Sequence, residues 1–320
     1  MNFAIIGCGL IGQKRARGLP AGHAVVAAAD VNISRAKSLA AGALATSDWR
    51  EAIQLPTVDA VIVATTNDWL APVTEAAVEL GKHVLVEKPA ARTSEELQGV
   101  LDAARHARSY VQVGFNHRFH PAFQKARAIF ETGALGPLMF IRGRYGHGGR
   151  VGYDREWRAD PAISGGGELL DQGVHLIDLA RWFLGEFTAV EGHAPTYYWD
   201  MAVDDNAFLS LRTTGGQTAW LHASCTEWKN MFSFEIYGRD GKLQIDGLGG
   251  SYGVERLSHY HMRPEMGPPD TTIWEYPGAD SSFQLELSTF IDSTSDGVRR
   301  GPGLNDALEA LKIVDSIYSK

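Results

Sequence analysis

The segment FAIIGCGLIG, residues 3–12, constrains the fold most, because an apolar run leads directly into glycines spaced G-x-G-x-x-G. In such a segment the first glycine permits a tight turn and the second lets the backbone approach a pyrophosphate. The third glycine lets the following helix, whose N-terminus faces the anion, pack closely on the strand. The residues Gly7, Gly9, Leu10, Ile11 and Gly12 are therefore predicted to bind a dinucleotide.

An acidic residue at the end of the next strand is the second signal of such a site. Asp30 ends the run VVAAAD and lies about 20 residues after the glycines, where the pattern expects it. Its carboxylate can accept hydrogen bonds from the adenosine ribose hydroxyls and would repel a 2′-phosphate. The sequence therefore predicts NAD as the cofactor, and Arg35 leaves NADP as the alternative.

The first third of the chain alternates short apolar runs with amphipathic stretches, which is typical of a parallel sheet with crossover helices. The predicted strands are 3–6, 24–29, 60–64, 83–86 and 110–113. The predicted helices are 13–18, 34–41, 70–80 and 94–107, and Ser94 serves as a start signal. We therefore expect a dinucleotide-binding domain over residues 1–118.

The alternation stops near Phe119, and a second domain is predicted over residues 119–320. Its runs AFLSLRT, TAWLHASCT, FSFEIYG and GKLQID are separated by turns that contain glycine, which predicts a meander of antiparallel strands. The segment 248–278 has weak periodicity and is interpreted as a loop or irregular edge. Helices are predicted again over 280–296 and 305–318, and these last helices could pack back on the first domain.

Composition narrows the function to small-molecule chemistry. The 320 residues favour two domains, and 44% hydrophobic with 21% charged residues is typical of a globular protein. The net charge of −8 disfavours a general affinity for nucleic acid. No apolar run has the length of a membrane helix, the start of the chain is unlike a signal peptide, and the two cysteines form no motif. We expect a cytoplasmic protein with no membrane partner, and no metal-ligand spacing is found.

The stretch GGGELLDQGVH, residues 165–175, carries the first catalytic candidates. On a helix, Asp171 and His175 stand four positions apart and can point into one cleft. An imidazole with a pKa near 6.5 can take a proton from an alcohol while a hydride leaves the same carbon. The three glycines would let the backbone turn sharply into this helix and leave room for a ligand or cofactor beside its first turn. The alternative is an ordinary polar pair on an exposed helix face.

Glu87-Lys88-Pro89 follows the predicted strand HVLV, at the edge where open parallel sheets bind ligands. Lys88 could hydrogen-bond a substrate oxygen and favour its developing negative charge. A solvated surface lysine is the competing interpretation. The linker before the catalytic helix supplies the substrate-binding candidates Tyr145, His147 and Arg158, although its aromatic residues could simply anchor the loop.

Four segments together resemble one known family: GCGLIG, VEKP, GFNHRFHP and GGGELLDQGVHLIDLARWFLG. They are similar to the glucose-fructose oxidoreductase, inositol dehydrogenase and MocA (Gfo/Idh/MocA) family over nearly the whole chain. The resemblance implies an α/β protein with an amino-terminal Rossmann domain and a carboxyl-terminal α/β domain. The second domain would carry a large, open, mostly antiparallel sheet whose face often supports oligomers.

The resemblance also implies roles for single residues. The implied catalytic residues are Lys88, Asp171 and His175. The implied cofactor-binding residues beyond the glycine loop and Asp30 are Thr65, Asn67, Glu87, Lys88 and Asn116. Arg118 matches the same pattern as Asn116, and Asp178 matches a supporting position. Position 66 departs from the family pattern, since threonine stands where proline is usual.

The sequence therefore predicts an NAD(P)-dependent dehydrogenase for a secondary alcohol of a sugar, sugar acid, nucleotide sugar or cyclitol. Two other activities fit the same residues. One is a redox-neutral glycosidase that uses NAD transiently, and the other is a non-enzymatic NAD or sugar sensor. A homo-oligomer, either a dimer or a tetramer, is expected because strands such as AFLSLRT leave one face available for burial.

Overall fold

The computed structural model describes residues 1–320, and the chain divides into two compact units. The segments of unit 1 are Met1–Phe115, Ala162–Gly165 and Phe283–Lys312. The segments of unit 2 are Asn116–Pro161, Gly166–Ser282 and Ile313–Lys320. The chain first passes from unit 1 to unit 2 close to the predicted boundary after residue 118. It returns to unit 1 with most of the two last helices.

The chain forms fourteen strands and ten α-helices. The strands are β1 (Asn2–Ile6), β2 (Ala24–Ala29), β3 (Leu44–Thr46), β4 (Ala60–Val63), β5 (His83–Glu87), β6 (Val111–Gly114), β7 (Leu138–Gly146), β8 (Phe187–His193), β9 (Asn206–Thr213), β10 (Thr218–Ser224), β11 (Met231–Gly238), β12 (Gly241–Asp246), β13 (Glu255–His261) and β14 (Asp270–Tyr276). The α-helices are α1 (Leu10–Arg17), α2 (Ile33–Ala40), α3 (Trp49–Gln54), α4 (Asn67–Glu79), α5 (Ser94–His106), α6 (Pro121–Glu131), α7 (Pro161–Ser164), α8 (Val174–Leu184), α9 (Ser282–Asp296) and α10 (Leu304–Tyr318).

Unit 1 is built on a six-stranded parallel sheet in the order β3-β2-β1-β4-β5-β6. Its central strands are apolar on both faces because helices cover both sides, as in doubly wound folds. Phe3, Ile62 and Leu85 lie in a core to which α9 adds Phe290. The predicted parallel sheet is confirmed. The short β3 and α3 were not predicted, because three to six residues carry too little periodicity.

Unit 2 contains an eight-stranded sheet in the order β14-β13-β12-β11-β7-β10-β9-β8. Neighbouring strands are antiparallel except for the pair β7 and β10, so the predicted mostly antiparallel sheet is confirmed. Along β7, Ile141, Gly143 and Tyr145 are buried, whereas Arg142 and Arg144 point to the opposite face and are exposed. Helices α6 and α8 pack on the sheet.

Residues 248–278 were interpreted as a loop or irregular edge, and the loop interpretation was wrong in part, since β13 and β14 form there and extend the sheet to its edge. Edge strand β14 is mostly exposed, so it lacks the alternation of buried and exposed residues that marks an inner strand. No α-helix of the structure is both long enough and apolar enough to cross a membrane.

Candidate active site

In the glycine loop of unit 1, two glycines are required by close backbone packing, and the third borders open space. Gly7 has φ +90°, and a Cβ there would lie 2.3 Å from the carbonyl oxygen of Ala64. A Cβ on Gly12 would lie 2.0 Å from the carbonyl oxygen of Gly7. A Cβ on Gly9 would meet nothing within 4 Å. Only Gly9 therefore keeps a side free for something other than protein.

The loop has the chemistry that a pyrophosphate needs. Helix α1 begins at Leu10, and its first turn has neither an acidic residue nor a side-chain cap. Its N-terminal N–H groups and partial positive charge are available to an anion. Leu10 is exposed and Ile11 is half-buried. The chain's own residues thus fit the diphosphate of a dinucleotide, which Gly9 lets approach the backbone.

Asp30 follows β2 beside this loop and closes it from one side. One carboxylate oxygen accepts the backbone N–H of Cys8 at 2.8 Å, and the other accepts that of Asn32 at 2.8 Å. A carboxylate has about four acceptor positions, so capacity remains for ribose hydroxyls. Cys8 itself is fully buried, and burial raises the pKa of its thiol to about 12, so it packs as a small apolar side chain.

The other predicted cofactor residues of unit 1 follow β4 and β5. Thr65 donates its hydroxyl to the carbonyl of Thr66 at 3.0 Å. The Asn67 side chain is buried and donates to the carbonyl of Ser164 at 2.8 Å, so its amide nitrogen holds the linker before the catalytic stretch. Lys88 is half-buried directly after β5, and its peptide bond to Pro89 is cis.

Glu87 is held by an arginine that the sequence did not single out. Arg15 on α1 is fully buried and binds Glu87 Oε1 through Nε at 2.8 Å and through Nη2 at 2.6 Å. Its Nη1 lies 2.5 Å from Glu286 Oε2 on α9. The guanidinium therefore joins α1, β5 and α9, and the Glu87 carboxylate serves this buried ion cluster.

The three glycines before the catalytic helix serve the backbone turn, where Gly165 has φ +79°, and close packing against protein atoms. A Cβ on Gly165 would lie 2.5 Å from Cβ of Arg92, and one on Gly166 would lie 2.4 Å from the Tyr318 hydroxyl. A Cβ on Gly167 would lie 1.9 Å from the carbonyl oxygen of Asp204. Protein atoms fill the space beside these glycines, so the prediction that they leave room for a ligand was wrong.

Asp171 and His175 lie in unit 2, but not on one regular α-helix as predicted. Residues Leu169–Gly173 form a π-helical turn, and α8 begins only at Val174. Asp171 therefore stands on the wider turn, while His175 is buried in the first turn of α8. Such π-turns often occur at functional sites. Arg158, a predicted substrate residue, approaches Asp171 Oδ2 through Nε at 3.1 Å.

The His175 ring packs against two other rings. His117 is stacked on it with ring centroids 3.8 Å apart and planes 24° apart. Tyr145, a predicted substrate residue, presents its edge at 6.1 Å from His175 and 5.0 Å from His117. Burial raises the pKa of Tyr145 well above its usual value, so the phenol stays neutral. The Asn116 amide, a predicted cofactor residue, donates to Ser282 Oγ at 2.9 Å.

A buried carboxylate that sequence reasoning missed lies three residues before Asp171. Glu168 is 1% exposed and accepts the Tyr153 hydroxyl at 2.9 Å. His147 Nε2 lies 3.4 Å from the same oxygen, while its Nδ1 accepts the backbone N–H of Gly149 at 3.0 Å. Both ring nitrogens of His147 thus have protein partners, which favours a role in shaping the site over direct contact with substrate. The signal in the sequence is a charged residue inside the otherwise apolar run GGGELL.

Asp178, expected in a supporting role, forms a bidentate ion pair with Arg118. Arg118 Nε and Nη2 donate to the Asp178 oxygens at 2.8 and 2.6 Å. The pair ties α8 to the turn that carries His117. It therefore fixes the two segments that bring His117 and His175 together.

Family models match both parts of the chain. A model described as an oxidoreductase family with an NAD-binding Rossmann fold (GFO_IDH_MocA) matches residues 1–115. A model for the GFO/IDH/MocA C-terminal domain matches residues 123–244. Together the two models cover more than half of the chain.

Curated relatives and solved structures extend the likeness to nearly the full length. Inositol 2-dehydrogenase 2 of Saccharopolyspora erythraea is 35% identical, with 99% of this chain and 91% of that protein covered. Levoglucosan dehydrogenase of Pseudarthrobacter phenanthrenivorans is 28% identical over 85% of this chain and 80% of its own length. A solved levoglucosan dehydrogenase, in complex with NADH and levoglucosan, superimposes with a TM-score of 0.90 at 26% identity, covering 100% of this chain and 96% of that one.

Proposed function

The chain belongs to the GFO/IDH/MocA oxidoreductase family, and from that premise we propose that it oxidises a ring alcohol of a sugar or cyclitol with NAD. The observation that carries the proposal is a group of polar side chains in unit 2, in which Tyr145 contacts the buried His175 and Arg158 contacts Asp171. Such a cluster suits a ligand with several hydroxyl groups. The relatives named for inositol and levoglucosan act on ligands of this kind.

Within this proposal, His175 is the acid/base. A ring nitrogen of the imidazole takes the proton of the reacting hydroxyl in oxidation and returns it in reduction. Asp171 orients the substrate by accepting a neighbouring hydroxyl, and Arg158 keeps the Asp171 carboxylate in place. Lys88 Nζ donates a hydrogen bond to the alcohol oxygen and favours its developing negative charge.

The cofactor residues of the proposal lie in unit 1, except for Asn116 in unit 2. Bound NAD supplies the acceptor for the hydride that leaves the carbinol carbon. Gly7 and Gly12 shape the loop, Gly9 admits the diphosphate, and Asp30 accepts the ribose hydroxyls. Leu10, Ile11, Thr65, Asn67, Glu87 and Asn116 complete the proposed set of cofactor residues.

Absorbance of reduced nicotinamide is the direct test. The purified chain is offered NAD, and separately NADP, with inositols, levoglucosan, free sugars, sugar acids and nucleotide sugars. Growth of the band with NAD and one class of polyol is expected. Binding of NAD without any band growth on the whole panel would contradict the dehydrogenase and favour the redox-neutral glycosidase or the sensor.

We also propose that the chain forms a homo-oligomer through the outer face of the sheet in unit 2. A cavity of about 620 Å³ opens there, and its lining includes Arg142, Arg144, Glu191, Trp220 and Glu235. Trp220 is 66% exposed in the middle of this face. The face carries both arginines and glutamates, so a second copy related by a two-fold axis can meet it with complementary charge.

A further inference from the structure

The His117 ring stacks on His175, the proposed acid/base, and His117 has no role in the proposed function. Both side chains are 4% exposed. Their ring centroids lie 3.8 Å apart, with the planes only 24° from parallel, so one face of the His175 ring is covered by His117. A ring so placed cannot turn without displacing its neighbour.

His117 is itself held from behind. His120 contacts it edge to face with ring centroids 5.7 Å apart. The His120 Nδ1 lies 2.9 Å from Oε2 of Glu255, a side chain that is 2% exposed. The other oxygen of Glu255 accepts the backbone N–H of Ala122 at 2.7 Å. A row of Glu255, His120 and His117 therefore stands behind the His175 ring.

Two imidazoles at this distance inside a protein resist carrying two positive charges. Like charges that approach closely disfavour the charged form of each partner, and burial adds to that penalty. The titratable and charged groups around the two rings and their immediate neighbours are Asp171, Asp178, Arg118, Tyr145, His120, Glu255, Glu168, Tyr252 and Asp280. Asp178 is ion-paired with Arg118, Glu255 faces His120, and His117 Nδ1 lies 3.2 Å from Oδ1 of Asn116.

We propose that His117 is a positioning residue that fixes the plane of the His175 ring and lets the stacked pair hold only one proton near neutral pH. The proposal rests on the proposed role of His175 as acid/base. In oxidation, the proton moves from the substrate hydroxyl to His175 while His117 stays neutral. The alcohol loses one proton to His175 and one hydride to NAD in this step, and no other group changes its charge.

The test follows the imidazole protons of the full-length protein by NMR as a function of pH, with His175→Asn identifying the His175 signal. In the wild type we expect that signal to show two protonation steps, because the first proton on either ring penalises the second. His117→Phe keeps a flat ring in the stack and should leave one step. A single step with the same midpoint in both proteins overturns the inference.

Kinetics give a second readout that a merely structural role would not move. His117→Ala should lower kcat about 10-fold with the KM for NAD unchanged, and His117→Phe should recover most of that loss. His261→Phe, at an exposed position on β13, is the matched control. Equal losses in the phenylalanine and alanine variants, with both folded by circular dichroism, would also contradict the inference.

The proposed function and the role of His117 are tested separately. If the wild type oxidises no member of the polyol panel, the proposed function fails, while the NMR titration still decides whether the rings are coupled. If the wild type is active and the rings titrate independently, only the role of His117 fails. Should His117→Phe not fold, His117→Asn removes the second titrating ring with a smaller polar side chain.

Discussion

At the scale of single residues, burial and partners decide which of several similar side chains can do chemistry. His147 and His175 both lie in unit 2. Both ring nitrogens of His147 contact protein groups, and the His175 ring stacks on His117 at the start of α8. Glu168 and Asp171 differ in the same way. Glu168 is buried with Tyr153, and Asp171 keeps an exposed fraction beside Arg158.

Removing either proposed catalytic group should reduce turnover without loss of cofactor. We expect His175→Ala and Lys88→Ala each to lower kcat by about 10² or more, because each removes a group that acts on the reacting oxygen. Binding of NADH, followed by its fluorescence, should be largely kept. Lys37→Ala, at an exposed position on α2, is the control. Near-normal rates in both variants would refute the assignment.

The pair of His147 and Glu168 should make the stability of the fold depend on pH. Burial lowers the pKa of His147, but the hydrogen bond and charge of Glu168 outweigh it and raise the pKa overall. Because the pKa of His147 is higher in the folded state, protonation stabilises the fold at pH values below the pKa of the unfolded chain, near 6.5. This stabilisation is lost as the pH rises through the pKa of the folded state. His147→Gln should therefore lower the free energy of unfolding more at pH 5.5 than at pH 9.

Urea unfolding of the wild type and His147→Gln at both pH values measures this difference. Tyr153→Phe is the control, because it removes the hydrogen bond that an uncharged hydroxyl donates to the same Glu168 oxygen. It should shift the midpoint equally at both pH values. An equal loss at both pH values in His147→Gln would show that His147 carries no extra charge in the fold.

At the scale of elements, the glycines of the loop between β1 and α1 have different roles. Gly12 sits against the carbonyl of Gly7, whereas Gly9 borders open space. Within the G-x-G-x-x-G pattern, Gly12 therefore meets a packing requirement and Gly9 meets a ligand requirement. Substitution by alanine can tell them apart.

Gly9→Ala should weaken NAD binding by 10-fold or more while leaving the melting temperature nearly unchanged, because its methyl group meets solvent and not protein. Gly12→Ala should lower the melting temperature as well, since its methyl group would lie 2.0 Å from a carbonyl oxygen. Calorimetry of binding and thermal unfolding measure both effects. Gly99→Ala, inside α5 with only ordinary contacts, is the control and should stabilise slightly. Unchanged NAD affinity in Gly9→Ala would place the diphosphate elsewhere.

At the scale of the whole molecule, the open face of the unit 2 sheet bears on assembly. Trp220→Glu places a charge in the middle of the face and should shift the protein from a dimer or tetramer to a smaller species. Light scattering after size-exclusion chromatography measures the mass. Met262→Glu, an exposed position after β13, should keep the mass of the wild type. A wild type that is monomeric at micromolar concentration would rule out this proposal.

The sequence by itself determined what depends on neighbouring residues. The strand and glycine motif of residues 3–12 predicted the parallel sheet, and the alternation in β9 to β12 predicted the second sheet. Both signals are local, because burial of one face of a strand or helix imposes a period that can be read in a single segment.

Only the tertiary structure decided which distant residues meet. His117 lies on the turn that follows β6, and it stacks on His175 of α8. Tyr318 of the last helix contacts Asp204 and Gly167. No local period encodes these contacts. The close packing of the three glycines likewise depends on Arg92, Tyr318 and the backbone of Asp204, which lie far away in sequence. Packing between distant segments, and not propensity within one, therefore shaped the candidate site.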